Sequence, residues 1–286
     1  MSTTTVSAYS VCTSITREQA RNFYYGIRLL PPVKRDALCA LYALARRIDD
    51  IGDGELAQAE KVAGLAALRA EIEHLHASSD PVLCAVADAA RRYPVPVEAF
   101  LELVDGVEMD VVGHHYADLD DLVGYCRRVA GTVGRLCLGV FGSRPDPDAE
   151  SYADNLGIAL QLTNILRDVR EDLLNGRVYV PQSDLDAFGV QLELDERGTL
   201  VDVDGGLTRL VHHSAARARD WYADGLRLVP LLDRRSAACC AAMAGIYRRL
   251  LERIDEQPSA VFGARLSLTG REKAVVAARA LTGLGA

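Results

Sequence analysis

Long apolar runs, aromatic side chains and paired cysteines are all scarce in this chain of 286 residues. No apolar segment approaches the roughly 20 residues that a membrane-spanning helix needs. Aromatic residues make up 6% of the chain while alanine and leucine dominate, which favours helices. The seven cysteines are scattered without a C-x-x-C pair, and the N-terminus lacks the pattern of a signal peptide. The composition therefore predicts a reduced, cytoplasmic, helical protein.

Several functional classes are excluded by what the chain does not contain. It has no P-loop, G-x-G-x-x-G, H-E-x-x-H or G-x-S-x-G segment. A net charge of −8 argues against a nucleic-acid surface, so we expect no nucleic-acid partner. Two overlapping E-x-x-H spacings occur at 71–76, but a di-iron bundle needs this motif on two helices. We therefore interpret His74 and His76 as surface residues.

Two stretches of the chain carry the same ladder of polar side chains. Within each stretch the spacing of three and four residues places the side chains on one stripe of a helix. Each ladder ends in two aspartates at i and i+4, a like-charge pair that costs a helix roughly 0.2–0.5 kcal/mol. The ladder residues are Tyr42, Arg46, Asp49 and Asp53 in the first, and Gln161, Asn164, Asp168 and Asp172 in the second.

A cation between the carboxylates would offset this repulsion. Oxygen ligands of this kind suit Mg²⁺, which takes one or two carboxylates and completes its shell with water and substrate phosphate. The residues alone thus favour a helical enzyme that grips a diphosphate through magnesium ions, with Arg21, Arg46 and Arg167 as direct phosphate ligands. The competing interpretation is two solvated acidic helix ends.

Helical periodicity recurs along most of the chain, with prolines between the segments. Gly131 and Gly134 interrupt one segment, which indicates a kink, a close approach of a ligand, or close helix packing. Residues 184–206 are rich in Asp, Gly and Leu and are predicted to form a long surface loop, either a functional cover or an insertion. Residues 1–15 are expected to be a loose tail. The predicted helices are 17–29, 33–52, 58–76, 81–92, 96–112, 119–141, 149–174, 207–228, 232–256 and 271–284.

Five segments in this order resemble the squalene/phytoene synthase family of head-to-head prenyltransferases. They begin with Phe-Tyr-Tyr-Gly-Ile-Arg-Leu-Leu-Pro at 23–31 and include both ladders. The resemblance covers roughly residues 15–275. The five segments are 23–31, 40–53, 125–134, 161–172 and 176–181.

The resemblance implies an all-α isoprenoid synthase fold, a single helical domain over 1–286 with a central cavity. It implies that several Mg²⁺ ions are bound by Asp49, Asp53, Asn164, Asp168 and Asp172. Catalytic roles are expected for these aspartates together with Tyr42, Arg46 and Tyr179. Substrate contacts are expected at Arg21, Asn22, Phe23, Tyr42, Arg46, Tyr125, Val129, Gly134, Gln161, Asn164, Arg167, Tyr179, Tyr247, Arg265 and Lys273.

Within the family, residues 23–31 most resemble the presqualene diphosphate synthases. That likeness implies that two farnesyl diphosphates condense to presqualene diphosphate without NADPH, and that later enzymes of the squalene pathway consume the product. Squalene synthase and phytoene synthase are the alternatives, because they share the first ionisation. A non-catalytic lipid-binding or assembly protein of the same fold is a remoter one, since both aspartate pairs are intact. We expect only transient contact with a membrane surface, on its inner face.

Overall fold

The computed structural model describes residues 3–20 and 22–283, and their regular structure is helical. Within these ranges no strand forms, and Leu194 and Leu200 make one isolated antiparallel bridge. The helices are α1 Thr3–Gln19, α2 Phe23–Ile27, α3 Pro32–Asp53, α4 Gln58–Glu73, α5 Pro81–Arg92, α6 Glu98–Val112, α7 Leu119–Cys126, α8 Thr132–Phe141, α9 Ala149–Leu174, α10 Gln182–Phe188, α11 Gly206–Gly225, α12 Arg234–Glu256, α13 Ala260–Gly263 and α14 Gly270–Thr282.

The predicted all-α class is confirmed, and the helices surround one large apolar core. That core runs from Ala8 in α1 to Leu268 just before α14. Helix α9 packs against α8, α11 and α12, while α3 packs against α1, α5, α6 and α8. The two helices that carry the ladders are therefore each braced by several neighbours.

The N-terminal segment does not form the loose tail expected for residues 1–15. Residues from Thr3 onward belong to α1, which packs against α3 and α5. Tyr9 and Cys12 are buried, and the Tyr9 hydroxyl donates a hydrogen bond to Asp88 at 2.9 Å. The predicted helix 17–29 is in fact divided, because α1 ends at Gln19 and α2 begins at Phe23.

The segment 184–206 is not a surface loop throughout. Its first residues belong to α10, where the buried Asp184 carboxylate pairs with Arg217 of α11. Further on, Leu200 is buried and its backbone N–H donates to the carbonyl of Phe262 at 2.9 Å. The segment therefore follows the surface while contacts to α11 and α13 hold both of its ends.

Close helix packing, one of the three explanations that the sequence allows for Gly131 and Gly134, applies at Gly134, where α8 meets α9. A five-residue π-helical turn, Arg127–Gly131, separates α7 from α8. A Cβ atom added at Gly134 would lie 2.1 Å from the carbonyl oxygen of Ala153, and one at Gly157 would lie 2.2 Å from that of Ala130. Both distances are far below van der Waals contact, so the glycines allow the backbones to approach this closely.

Replacing Gly157 by alanine should destabilise the protein by about 1–3 kcal/mol, because the Ala130 carbonyl cannot yield without moving its helix. Gly124→Ala in α7 is the matched control, since its Cβ meets only the end of Arg128 at 3.6 Å. The control should be neutral or more stable by about 0.5–1 kcal/mol. Urea unfolding measures both, and equal stabilities would contradict the close-packing explanation.

Candidate active site

A cavity of about 250 Å³ lies between α3 and α9. Its lining runs from Leu38 to Asp49 on α3 and from Ala153 to Asn164 on α9, about 16 Å along each helix. Part of the lining is apolar, with Phe141 and Leu228 among its walls, and the rest includes the first residues of each ladder, whereas Asp53, Asp168 and Asp172 lie off its walls. The predicted residues that line this cavity are Phe23, Tyr42, Arg46, Asp49, Val129, Gly134, Gln161 and Asn164.

The first ladder presents a carboxylate, Asp49, that forms no ion pair with any described residue, although the charge of Arg46 partly offsets its raised pKa. Burial, followed by the charge of Asp53, raises the pKa of Asp49 to about 7. Arg46, one turn earlier, pairs instead with Asp50 at 2.5 Å, and its buried Nε has no hydrogen-bond partner. An unpaired buried donor of this kind is expensive unless a ligand accepts from it.

The second ladder combines a paired and an unpaired aspartate. Asp168 accepts from the Nε of Arg167 at 2.7 Å and from the Nε of Arg265 at 2.9 Å. Burial and the charge of Asp168 raise the pKa of Asp172 to about 7. Asn164 donates to Gln161 at 3.3 Å, while its buried Oδ1 has no partner.

The carboxylate oxygens that could bind a metal ion come from two separate pairs of aspartates, one in each ladder. Within residues 3–20 and 22–283, no three His, Cys, Asp or Glu side chains converge as a preformed metal centre. The fit to a metal therefore depends on two carboxylate pairs and on the unpartnered Oδ1 of Asn164. Such a set suits a hard cation that takes one or two carboxylates and keeps other ligands, as Mg²⁺ does.

Tyr125 and Tyr179 both bind Asp110, a residue that the sequence patterns did not single out. Both hydroxyls donate to the carboxylate of Asp110, each at 2.8 Å, and the two rings stack with centroids 5.2 Å apart. The sequence spacing could have identified Asp110, because this residue continues the buried stripe of Leu103, Gly106 and Val107 on α6. A carboxylate at the end of an apolar stripe marks a buried polar contact.

A further contact missed from the sequence joins the ends of the two ladder helices. Arg177 donates to Asp53 at 2.9 Å across 124 residues of sequence separation. Arg177 lies two residues before Tyr179 in the chain. The ends of the two ladders and the two tyrosines therefore form one polar cluster. No local pattern predicts a partner at this separation.

The remaining predicted residues lie around the cavity rather than on its walls. Phe23 stacks on Tyr247 of α12 with centroids 5.6 Å apart, which places Tyr247 behind the cavity wall. Asn22 precedes α2, and Lys273 lies in the first turn of α14, which packs against α12 and α2. Arg21 lies outside the described residues.

The di-iron alternative has no support in the structure. His74 follows α4 and His76 lies in the short helical turn after it, and both side chains are exposed. The His74 ring contacts only the backbone carbonyl of Ala70, at 2.9 Å. Their interpretation as surface residues is confirmed.

Residues 16–272 match the family model described as squalene/phytoene synthase. A phytoene synthase of Mycobacterium tuberculosis is 59% identical over 275 residues, which cover 96% of this chain and 90% of the relative. The 15-cis-phytoene synthase of Synechococcus elongatus is 35% identical, covering 90% of this chain and 87% of its own length.

Solved structures agree with the fold. A dehydrosqualene synthase in complex with a ligand superposes with a TM-score of 0.84 at 26% identity, covering 98% of this chain and 97% of that one. The squalene synthase HpnC from Alicyclobacillus acidocaldarius gives 0.80 at 30% identity, covering 90% and 96%.

The site and the fold define an all-α prenyltransferase with an isoprenoid synthase fold. The chain belongs to the squalene/phytoene synthase family, whose members condense prenyl groups head to head. In the part of the chain that the structure describes, no helix is long and apolar enough to cross a membrane.

The unpaired Asp49 should make the metal-free protein less stable as the pH rises. Its pKa is about 7 in the folded state and about 3.9 unfolded, so the folded state binds more protons between these values. Stability therefore falls as the pH increases through this window. At pH 8 in chelator, Asp49→Asn should be more stable than the wild type by about 1–2 kcal/mol, after discounting for partial exposure.

Urea unfolding at pH 5 and pH 8 measures this effect, with Asp120→Asn as the control because Asp120 is an exposed aspartate on α7. The stabilisation should be smaller at pH 5. An Asp49→Asn variant that is less stable than the wild type at pH 8 would contradict the prediction. It would show that neighbouring groups stabilise the charged Asp49 carboxylate.

Proposed function

We propose that this enzyme binds the diphosphates of two prenyl substrates between the ladders through several Mg²⁺ ions and condenses the chains head to head. The observation that carries the proposal is the approach of two acidic ladders to one largely apolar cavity, which Asp49 and Asn164 line and where Asn164 Oδ1 has no partner. The residues that would hold the metal are Asp49, Asp53, Asn164, Asp168 and Asp172. Bound Mg²⁺ supplies Lewis-acid neutralisation of the departing diphosphate.

The arginines beside the ladders would bind the phosphate oxygens directly. The unpartnered Nε of Arg46 points to a missing acceptor within the cavity lining. Arg167 of α9 and Arg265, in the segment between α13 and α14, converge on Asp168, so their guanidinium groups would lie next to a diphosphate bound there. Guanidinium groups suit this role because they donate in a fixed, forked geometry.

The apolar end of the cavity would hold the isoprenoid chains and exclude water. The allylic cation formed after diphosphate departs is attacked by a double bond of the second substrate, and loss of a proton closes a cyclopropane. Walls such as Leu136, Phe141 and Leu228 offer no nucleophile to intercept this cation, and burial raises the pKa of the Cys137 and Cys240 thiols in the same lining to about 12, which keeps them protonated. Tyr42, which also lines the cavity, would face the chain near the ladders.

The two candidate substrates differ in chain length. The 59% identity to a protein named phytoene synthase supports a C20 substrate, geranylgeranyl diphosphate, and we favour it. The small side chains of Cys137 and Cys240 within the apolar lining leave room for the longer chain. The likeness of residues 23–31 to presqualene diphosphate synthases supports the C15 substrate, farnesyl diphosphate, as the second candidate.

An apolar rim at the polar end of the cavity favours transient contact with lipid. Leu56, Val112 and Leu174 are each more than half exposed, and they lie at or just beyond the ends of α3, α6 and α9. The polar cluster around Asp53 and Asp110 holds these three ends together. A zwitterionic membrane surface suits the rim, because the acidic ladders repel anionic lipids.

Diphosphate release from an allylic substrate should require Mg²⁺ and the ladder aspartates. Asp168→Asn should lower turnover by about 100-fold or more, because the charge that organises the leaving group is lost. Asp120→Asn is the control and should retain full activity. Chromatographic separation of substrate and product measures the rates, because this readout also works in chelator, and circular dichroism checks the helices. Full activity in excess chelator, or lipid binding without diphosphate release, would overturn the proposed function.

Product analysis should distinguish the two candidate substrates. With Mg²⁺ and geranylgeranyl diphosphate we expect a C40 product, and Cys240→Phe should shift the preference towards farnesyl diphosphate by shortening the cavity. Accumulation of presqualene diphosphate from farnesyl diphosphate alone, unaffected by NADPH, would support the second candidate. Squalene formed in proportion to NADPH would instead assign a squalene synthase.

The lipid contact should affect activity only when a membrane presents the substrate. Replacing Leu56, Val112 and Leu174 together by serine should slow turnover of vesicle-bound substrate by roughly 5-fold while leaving turnover in detergent unchanged. Val33→Ser is the control, since Val33 is equally exposed at the opposite end of α3. Complete cosedimentation with phosphatidylcholine vesicles without substrate would contradict a transient contact.

A further inference from the structure

Asp110 is a half-buried carboxylate near the site to which the proposed chemistry gives no task. It lies near the end of α6, a third helix that carries neither ladder. Burial raises its pKa, and the Tyr125 and Tyr179 hydroxyls oppose that rise by hydrogen bonding. Its two oxygens are divided between the two tyrosines, with Oδ2 accepting from Tyr125 and Oδ1 from Tyr179.

The surrounding rings restrict this arrangement to one geometry. Tyr116 stacks on Tyr179 with centroids 5.8 Å apart and contacts Tyr125 at 5.4 Å, so the three rings form one cluster. All three rings are buried, so the cluster is shielded from bulk solvent. A charged acceptor in such a setting makes strong hydrogen bonds.

The cluster adjoins the reacting end of the cavity. Tyr125 lies one turn before Val129, which lines the cavity, and Tyr179 lies two residues after Arg177, which pairs with Asp53. Asp110 also adds to the negative potential at both Asp49 and Asp172. It is therefore close enough to both ladders to interact with them electrostatically.

The donor and acceptor pattern gives the carboxylate a specific effect on the tyrosines. A phenol hydroxyl has one hydrogen and two lone pairs. When both hydroxyls donate to Asp110, both of their hydrogens are engaged, and both oxygens keep lone pairs for a cationic neighbour. A carbocation is stabilised by oxygen lone pairs and destabilised by a hydrogen pointed at it.

We propose that Asp110 is a positioning residue that holds the hydroxyl hydrogens of Tyr125 and Tyr179 away from the cavity and thereby keeps both oxygens electron-rich for the allylic cation. The inference rests on the proposed condensation. It adds a residue from α6 that acts through the tyrosines and touches neither diphosphate nor metal.

Asp110→Asn is the direct test, because an amide has the same shape but one of its two polar groups is a donor. One tyrosine must then accept instead of donate, and its hydrogen turns away from residue 110. We expect kcat to fall by about 10–100-fold, as for other residues that orient a reacting group, with KM changed less than about 3-fold. Asp105→Asn on the same helix is the control, since Asp105 forms only an exposed pair with Arg69.

A double-mutant cycle separates positioning from a structural role. In a Tyr125→Phe, Tyr179→Phe background, Asp110→Asn should cost less than about 2-fold further in kcat, because the groups through which it acts are gone. Asp110→Glu, which keeps two acceptor oxygens, should recover part of the kcat lost in Asp110→Asn. If Asp110→Asn does not fold, the inference is tested with Asp110→Glu and with the two single Tyr→Phe variants. Each of these should show a lowered kcat and an unchanged KM.

Unchanged kcat in Asp110→Asn, or an equal loss in the wild-type and Tyr→Phe backgrounds, would overturn the inference. These outcomes are distinct from failure of the proposed function, in which the wild type itself would release no diphosphate. All rates are measured well below the melting temperature of each variant, so that a loss of stability does not lower the apparent kcat.

Discussion

The structure depends on keeping several like charges close together inside a protein. Asp49 and Asp172 are both held in positions where burial and a neighbouring aspartate raise the pKa to about 7. Such an arrangement persists only when the surrounding helices fix the backbone, because a mobile carboxylate would turn to water. The repulsion is thus maintained by packing elsewhere, and a cationic ligand would relieve it.

Glycine makes that packing possible. At Gly134 and Gly157 the backbones of α8 and α9 approach to distances that no side chain permits. This contact anchors the middle of α9, and the π-helical turn Arg127–Gly131 turns the chain where α7 passes into α8. The same stretch contributes Val129 to the cavity wall, so the element that fixes α9 also shapes the cavity.

Charge at the polar end is distributed unequally. Asp168 is neutralised by Arg167 and Arg265, and Asp53 by Arg177, whereas Asp49 and Asp172 form no such ion pair within the described part of the chain. The site therefore combines two carboxylates already matched to cationic side chains with two that lack this match. That asymmetry suits a site that receives an anionic diphosphate together with its counter-ions, because both arginines and carboxylates then find partners.

Local periodicity determined the helices α5 and α9 to the residue and placed both ladders on single stripes, because these features depend on spacing alone. It failed for α1, whose many Ser and Thr residues are poor helix formers and which is held by tertiary contacts such as Tyr9 to Asp88. The partnership of Arg177 with Asp53 and the two tyrosines on Asp110 were decided only by the tertiary structure. Hydrogen bonds between residues far apart in the chain leave no periodic trace in it.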